Sequence, residues 1–266
     1  MRPRVFKRAL ITGASGGIGE EFARQLAAHG THVVLVARSE ERLAELAAGL
    51  REANGVEVEV LAADLTTDAG LAGVEDRLRR ADAPVDLLIN NAGFGTFGRF
   101  SRSDIEREEG QIRLNTLAPV RLTHALLPGL RARGGGGVLN IASMAAFAPI
   151  GRMATYGATK AFLTSFSEAL HEELRGEGIN VTALCPGFTR TDFQAVAGVE
   201  EASKAIPTPL WGEADDVARS GIEGVASGRA VVVPGGVNRL GAVISTFSPS
   251  AITRRIVHGG LRRGSR

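Results

Sequence analysis

The chain has 266 residues, of which 44% are hydrophobic and 23% are charged, and its formal net charge at pH 7 is +2. This length and composition are typical of a globular protein with one sizeable core, and so small a net charge gives no general signature of nucleic-acid binding. The single cysteine, Cys185, excludes an intramolecular disulfide framework, and no segment resembles a signal peptide or a membrane span, so we expect a cytoplasmic protein that binds no nucleic acid.

Short runs rich in Val, Ile and Leu alternate with helical patterns along the chain. Strand patterns occur at residues 5–12, 32–37, 58–64, 85–91, 138–143, 179–186 and 230–234. Helical patterns occupy 20–29, 40–51, the stretch between the third and fourth strands, and then 113–132, 154–175 and 213–227. The predicted fold class is therefore α/β: a doubly wound (Rossmann) parallel sheet of about seven strands with helices on both faces.

We expect a single Rossmann-fold domain over residues 1–235, with one irregular segment and one extension. Residues 190–212 fit neither a helix nor a strand pattern and are interpreted as a loop or lid over the substrate. Residues 236–266 form a basic C-terminal extension that we expect to pack on the domain or on a partner subunit, with a membrane surface as the second choice. The glycine run at 134–137 is interpreted as a flexible approach to the fifth strand.

The segment T-G-A-S-G-G-I-G at residues 12–19 lies between the first strand and the first helix. Glycines at such a turn let the backbone approach a pyrophosphate, whose charge is met by the amides of the helix N-terminus. A glycine-rich turn alone is weak support, because any tight turn uses glycine, but its place at the start of an alternating chain strengthens it. We therefore predict a dinucleotide site built on Gly13, Gly17 and Gly19, with the Ser15 hydroxyl available to it.

The end of the second strand indicates which dinucleotide is preferred. An NAD site usually offers a carboxylate here to the ribose, whereas this chain has Arg38, which can clamp a 2′-phosphate. We predict NADP(H), with NAD(H) as the less favoured cofactor; the alternative for Arg38 is a role in a surface loop. Asp64, after the third strand, can bind the adenine amino group or act as a turn residue.

Tyr156 is the only tyrosine in the chain, and Lys160 follows it by four residues. On a helix these two side chains share one face, so the phenol and the ammonium can meet. Reduction of a carbonyl needs an acid at the substrate oxygen, and an ammonium about 4 Å away lowers the pKa of a phenol from about 10 toward neutrality. The alternative is a core aromatic beside a solvated lysine.

Taken in order, these motifs resemble the short-chain dehydrogenase/reductase family in its single-domain form. They comprise T-G-A-S-G-G-I-G, N-N-A-G (90–93), Asn115, Ser143, Y-G-A-T-K (156–160) and P-G-F-T-R-T (186–191). The resemblance implies an oxidoreductase acting on a C=O or CH–OH group, with Asn115, Ser143, Tyr156 and Lys160 as catalytic residues and Tyr156 as the general acid or base. The cofactor residues, from the resemblance and the arguments above, are Gly13, Ser15, Gly17, Ile18, Gly19, Arg38, Asp64, Leu65, Asn91, Ala92, Gly93, Tyr156, Lys160, Pro186, Gly187, Thr189 and Thr191.

The side chains expected around the substrate are apolar or aromatic and carry no charge. We therefore predict a hydrophobic carbonyl or alcohol compound, although the same side chains can equally belong to the core or to a dimer interface. The five histidines show no ligand grouping, so no metal is expected. A homodimer or homotetramer is expected, and the alternative function is a non-redox or regulatory dinucleotide-binding protein. The predicted pocket residues are Phe94, Met144, Phe147, Phe188, Phe193 and Trp211.

Overall fold

The computed structural model describes residues 4–203 and 206–247. Its strands are β1 (Arg8–Thr12), β2 (His32–Ala37), β3 (Val58–Ala62), β4 (Leu87–Asn90), β5 (Gly136–Ile141), β6 (Ile179–Leu184), β7 (Phe188–Thr189), β8 (Trp211–Gly212) and β9 (Val231–Val232). Its helices are α1 (Gly17–Ala28), α2 (Glu40–Asn54), α3 (Asp68–Arg79), α4 (Ile105–Ile112), α5 (Ala118–Ala132), α6 (Ala154–Leu174), α7 (Phe193–Ala197), α8 (Glu200–Ser203), α9 (Ala214–Ala226) and α10 (Gly236–Phe247).

Seven parallel strands form the central sheet in the order β3-β2-β1-β4-β5-β6-β9, and β7 pairs with β8 in a separate ribbon. The predicted fold class is therefore confirmed. The strand order reverses between β1 and β4, and in open α/β sheets ligands bind in the crevice that this reversal opens at the carboxyl ends of the strands. Both the glycine-rich turn and the N-N-A-G motif follow strands at this edge.

Two apolar layers cover the two faces of the sheet. Alternate residues of β1 point to opposite sides, so that Ile11 packs with α1, α2 and α9, whereas Leu10 packs with α3 and α5. Helix α2 begins after Ser39, whose side chain accepts a hydrogen bond from the Arg42 amide, and ends at Gly55 in the left-handed conformation. Helix α2 therefore begins just after β2 ends and stops just before β3 begins.

The glycine run before β5 differs from its expected role. Gly136 and Gly137 are buried residues of β5, so the interpretation of 134–137 as a flexible approach is wrong for its second half. A Cβ on Gly136 would lie 2.5 Å from the side chain of Leu130, and one on Gly137 would lie 2.9 Å from that of Val225. Glycine is needed here because helices on both faces approach the strand closely.

The region expected to form a lid is made of short elements, namely α7, α8 and the β7–β8 ribbon. Of the C-terminal extension, residues 236–247 form α10, and residues 248–266 lie outside the described part of the chain. No helix within residues 4–203 and 206–247 has both the length and the apolar character needed to cross a bilayer.

Candidate active site

The glycine-rich turn is fixed by close contacts that exclude side chains. Gly13 has a φ of 66° and Gly17 a φ of 57°, values that other residues rarely adopt. A Cβ on Gly19 would overlap the backbone oxygen of Gly13. The turn therefore brings bare backbone to the N-terminus of α1, where unpaired amides and the helix dipole favour an anion.

Asn91 connects this turn to the end of β4. Its Nδ2 donates to the carbonyl oxygens of Thr12 at 2.9 Å and Gly13 at 3.2 Å. The Thr12 hydroxyl in turn accepts hydrogen bonds from the amides of Asn91 and Ala92, each at 3.0 Å. The two strands that flank the reversal of strand order are thus held in one arrangement around the predicted nucleotide site.

Arg38 and Asp64 lie together at the outer end of the predicted nucleotide site. Arg38 is exposed and makes no ion pair within the described residues. Burial acts to raise the pKa of Asp64, but hydrogen bonds from Thr66 and the charge of Arg38 hold it below its ordinary value. Asp64 Oδ1 accepts from the Thr66 amide at 2.9 Å and from its hydroxyl at 2.7 Å, as the turn alternative expected. The guanidinium of Arg38 stays available to an anionic ligand.

Tyr156 lies in the first turn of α6 and is 8% exposed. The side chain of Ser143, which follows β5, accepts from the Ala145 amide at 3.1 Å and lies near enough to the Tyr156 hydroxyl to affect its pKa. Burial raises the pKa of Tyr156 to about 12, and the nearby Ser143 side chain acts in the opposite direction. The pKa shift is therefore opposite to the lowering expected from a nearby ammonium.

The position of Lys160 explains why the pKa of Tyr156 is raised and not lowered. Its Nζ donates to the Ile141 carbonyl oxygen at 2.7 Å and lies 5.7 Å from the centre of the Tyr156 ring. Burial lowers the pKa of Lys160 itself to about 8. The ammonium is thus desolvated and is not close enough to the phenol to offset the burial of a phenolate.

Asn115 lies in a π-helical turn, Arg113–Leu117, that joins α4 to α5 where a single helix was expected. Its Nδ2 donates to the Phe94 carbonyl oxygen at 2.9 Å and to the Thr159 hydroxyl at 3.1 Å, while its Oδ1 accepts from the Phe94 amide at 3.2 Å. Single π turns within helices are frequent at functional sites. Asn115 therefore ties the loop after β4 to the helix that carries Tyr156.

Sequence reasoning missed Thr12 and Thr159, the hydroxyl groups that complete these connections. Thr159 Oγ1 donates to the Tyr156 carbonyl oxygen at 2.8 Å while it accepts from Asn115. Both threonines are buried. Their signal in the sequence is adjacency, since Thr12 begins the glycine-rich motif and Thr159 precedes Lys160, but only the fold shows which amides they meet.

The segment after β6 approaches the glycine turn. The Thr191 side chain lies 3.1 Å from where a Cβ on Gly17 would be. Thr189 is buried, and its carbonyl oxygen accepts from Gln194 Nε2 at 2.8 Å. The Pro186 carbonyl oxygen accepts from the Met144 amide at 2.9 Å, which joins this segment to the loop that follows Ser143.

The remaining predicted cofactor residues divide into contact and support positions. Gly93 lies close against two of the predicted catalytic residues, since a Cβ there would lie 3.0 Å from Asn115 Oδ1 and 3.4 Å from Lys160 Nζ. Ile18 packs against one core layer and Leu65 is buried in the other, so the Leu65 side chain is not available to a cofactor. Gly187 is crowded by the Asn238 side chain of α10.

The six predicted pocket residues have different immediate contacts, and their role in a substrate pocket stays a prediction. The Phe193 ring centre lies 5.5 Å from that of Tyr156, so Phe193 contacts the predicted catalytic tyrosine. Phe188 and Trp211 contact each other in the ribbon at 5.8 Å, and Phe94 lies 5.9 Å from the Arg107 guanidinium. Phe147 packs against the small buried cluster that contains Cys185, and Met144 lies 3.7 Å from where a Cβ on Gly241 would be.

A cavity of about 290 Å³ lies beside the first residues of α6, Ala154 and Thr155. Its lining includes Arg99, Arg152 and Glu108, and Glu108 is buried with an Oε2 that has no partner within the described residues. Neither Tyr156 nor any of the six predicted pocket residues lines this cavity, so the expectation of an uncharged substrate pocket stays a prediction. No group of three or more His, Cys, Asp or Glu side chains placed to hold a metal occurs in the described ranges.

The arrangement can bind an extended anionic ligand across the reversal of strand order and move a proton at its inner end. Comparison with known proteins gives the same indication. The family model described as short chain dehydrogenase matches residues 7–202 of this chain. A ketoacyl reductase of Nostoc sp., HetN, is 33% identical over 202 residues, which cover 73% of this chain and 70% of that protein.

Two solved structures are similar over almost the whole chain. A short-chain dehydrogenase from Sphingobium yanoikuyae in complex with NADPH is 39% identical with a TM-score of 0.82, covering 98% of this chain and 96% of that one. A bulky-bulky ketone specific alcohol dehydrogenase from Comamonas testosteroni is 34% identical with a TM-score of 0.78, covering 99% and 96% of the two chains.

Proposed function

The chain belongs to the short-chain dehydrogenase family, and we propose that it is an NADP(H)-dependent oxidoreductase that interconverts a carbonyl and an alcohol on a hydrophobic small molecule. The proposal is supported by one observation: Ser143, Tyr156 and Lys160 lie together at the same end of the sheet as the glycine turn. An acid–base group thus adjoins a dinucleotide site, as hydride transfer to a carbonyl requires.

The residues of the nucleotide site fit a dinucleotide. Cβ atoms added at Gly13 and Gly19 would collide with the turn itself or with Asn91 and Ala92 after β4. Both positions therefore require glycine, which leaves the backbone of the turn exposed to a ligand. Gly13, Ser15, Gly17 and the first amides of α1 would hold the pyrophosphate. When bound, the cofactor supplies or accepts the hydride.

The preference for NADP(H) over NAD(H) is part of the proposal. It is supported by Arg38, whose guanidinium is exposed and forms no ion pair among the described residues, while the charge of Asp64 acts on it only at longer range. Asp64 is engaged by Thr66 and is not placed to replace a ribose-binding carboxylate after β2. A bidentate contact from arginine to phosphate is strong and geometrically specific.

The proton step is assigned to Tyr156. With a pKa of about 12, Tyr156 is a neutral phenol near pH 7 and holds the proton that a reduced carbonyl oxygen must receive. Hydride addition at the carbonyl carbon leaves a negative charge on oxygen, and transfer of the Tyr156 Oη proton to that oxygen gives the alcohol. Ser143, whose side chain lies near the Tyr156 hydroxyl, would hold the substrate oxygen in place. Oxidation uses the same atoms in reverse.

Lys160 and Asn115 support this proton transfer, Lys160 by its charge and Asn115 by its hydrogen bonds to neighbouring segments. Lys160, with a pKa of about 8, is mostly protonated near pH 7 and provides a cation that stabilises the phenolate formed after proton transfer. Asn115 uses its amide on the Phe94 backbone and on Thr159, so its role is to position the loop and helix around Tyr156. We also expect Asn115 to anchor a water molecule through which protons are relayed, and this role is a prediction.

A hydrophobic carbonyl compound is supported by the aromatic wall that Phe193 forms against Tyr156. The names of two relatives point to bulky or acyl-linked ketones, a ketoacyl reductase and an alcohol dehydrogenase specific for bulky-bulky ketones. A regulatory role without catalysis is less well supported, because none of the four catalytic residues is replaced.

A panel of carbonyl compounds tests the proposal. Aromatic ketones, long-chain 3-oxoacyl thioesters and ketose sugars are offered with NADPH and with NADH, and consumption of the cofactor is followed by its absorbance. We expect turnover of the bulky apolar compounds with NADPH, at a kcat/KM above that with NADH. Turnover confined to sugars would contradict the substrate class, and none with any carbonyl compound would favour the regulatory alternative.

We also propose a homodimer formed through α4 and α6. Ile105 and Ile112 lie two turns apart on one side of α4 and are 61% and 47% exposed, and Phe162 on α6 is 45% exposed. Phe162 stacks on Phe166 at 5.9 Å, which extends the apolar surface along α6. Contiguous exposed apolar surface of this kind marks protein interfaces.

A further inference from the structure

Helix α10 presents an apolar face to solvent. Val237, Leu240, Val243 and Ile244 are 61%, 62%, 50% and 52% exposed. Their spacing of three and four residues places them on one side of the helix. Large apolar side chains grouped in this way mark a surface that binds something, whereas single exposed ones need no explanation.

The opposite side of α10 is anchored at the active-site edge of the domain. Ala242 is buried, and Asn238 Nδ2 donates to the Pro234 carbonyl oxygen at 3.1 Å. The Asn238 side chain also occupies the space beside Gly187, and Gly241 lies near Met144, the residue after Ser143. The apolar face therefore has a fixed orientation, pointing outward from the edge that carries the catalytic residues.

The charge of this part of the sequence indicates what binds there. No acidic residue follows Glu223, and Arg239 is exposed on α10 itself. A second copy of the chain placed face to face would bring two sets of like charges together, which disfavours a dimer through this surface. An anionic lipid surface satisfies both the charge and the apolar face. From residue 236 onward the arginines are Arg239, Arg254, Arg255, Arg262, Arg263 and Arg266.

We propose that α10 and the arginine-rich residues after it bind the surface of an anionic phospholipid bilayer. Val237, Leu240, Val243 and Ile244 enter the boundary between headgroups and acyl chains, Arg239 contacts the headgroup phosphates, and the net positive charge of the sequence after Glu223 attracts the anionic surface. This ranks the membrane surface above the subunit contact that the sequence favoured. A consequence that rests on the proposed function is that apolar substrates reach Tyr156 from the lipid phase.

Sedimentation of the full-length protein with vesicles tests the binding directly. Vesicles of phosphatidylcholine are compared with vesicles of phosphatidylcholine and phosphatidylglycerol in equal parts, at low and at high salt. We expect at least about tenfold tighter binding to the anionic vesicles at low salt, weakened by added salt. The Leu240→Ser variant is expected to bind about tenfold more weakly, because it removes one inserted side chain.

Val237→Ser and Val5→Ser form a matched pair, since Val5 is 83% exposed at the opposite edge of the sheet. Val237→Ser should weaken binding several-fold and Val5→Ser should leave it unchanged. Equal binding to neutral and anionic vesicles, or equal effects of the two variants, would overturn the proposal. Two further results with Leu240→Ser would contradict the proposal, each with unchanged lipid binding. A lower molecular mass would show that the apolar face is a subunit interface. A lower urea midpoint would show that the chain's own C-terminal residues cover it.

Discussion

At the scale of single residues, burial shifts the pKa values of Tyr156 and Lys160 in opposite directions, and each shift favours the uncharged form of the side chain. Burial raises the pKa of Tyr156 to about 12 and lowers that of Lys160 to about 8. The sequence places the two residues one helical turn apart, which predicts their common face correctly. It does not show that Lys160 donates to the Ile141 carbonyl oxygen, because that contact depends on how α6 packs against β5.

The burial of Lys160 predicts a stability change with a definite dependence on pH. Near pH 7 the folded protein carries a desolvated ammonium, so Lys160→Met should raise the free energy of unfolding by about 1–3 kcal/mol. Between pH 8 and 10 the folded wild type loses this proton while the unfolded chain keeps it, so wild-type stability rises relative to the variant. The advantage of the variant should therefore shrink by roughly 2 kcal/mol from pH 7 to pH 10.

Urea unfolding midpoints at the two pH values measure this difference. Lys7→Met, at an exposed lysine, is the control and should show no such narrowing. A Lys160→Met variant less stable than wild type at both pH values would mean that the ammonium is a net stabilising group.

Arg38 predicts cofactor preference. Arg38→Asp removes the guanidinium and adds a charge that repels a 2′-phosphate, so kcat/KM for NADPH should fall by 10²-fold or more, on the order of 3 kcal/mol, while that for NADH changes little. Arg175→Asp, an exposed arginine at the end of α6, is the control. Equal losses with both cofactors in Arg38→Asp would refute the phosphate contact.

At the scale of elements, the site depends on how helices begin, end and join. The strand positions and the first glycine-rich turn follow from local pattern, because a run of β-branched residues before a glycine cluster has one common structure. The π turn around Asn115 does not, because a pattern that is apolar at helical spacing looks the same with or without one wide turn. The hydrogen bonds from Asn115 to the Phe94 backbone are tertiary and hold that turn in place.

Two glycines inside helices predict opposite effects of the same substitution. Gly19→Ala places a Cβ against the Gly13 carbonyl oxygen, so it should weaken NADPH binding at least tenfold and destabilise the protein by about 1–3 kcal/mol. Gly49→Ala in α2 meets nothing within 4 Å and should stabilise by about 0.5–1 kcal/mol with unchanged binding. Calorimetric binding and urea unfolding give both quantities.

The glycine-turn account would be wrong if Gly19→Ala bound NADPH as tightly as Gly49→Ala. A loss of stability without a loss of binding would show that Gly19 serves packing alone.

At the scale of the whole molecule, the doubly wound sheet brings the predicted site residues from six loops, those after β1 to β6, to one end of the sheet. Alternating strand and helix patterns are enough to predict this topology, because parallel strands require crossovers of one hand. They are not enough to predict the surroundings of the substrate, since Phe188 and Trp211 pair with each other and Phe147 joins a core cluster. Which aromatic residues face a ligand depends on the segment at 190–212, because its short elements have no periodic sequence pattern.

The proposed dimer predicts a change of mass. Phe162→Glu places a charge in the apolar surface of α4 and α6, so the protein should change from dimer to monomer in light scattering after gel filtration. The control Val5→Glu changes an exposed valine before β1, outside α4 and α6, and this variant should stay dimeric. A Phe162→Glu variant with the wild-type mass would move the interface elsewhere.

The central claim is that Tyr156 transfers the proton during carbonyl reduction, and Tyr156→Phe tests it most directly because it removes only the hydroxyl. With a bulky ketone that the wild type reduces, kcat should fall by about 10²–10⁴-fold while the Kd for NADPH stays within about twofold. The chain has no other tyrosine to take over the step. Wild-type turnover by Tyr156→Phe would contradict the mechanism.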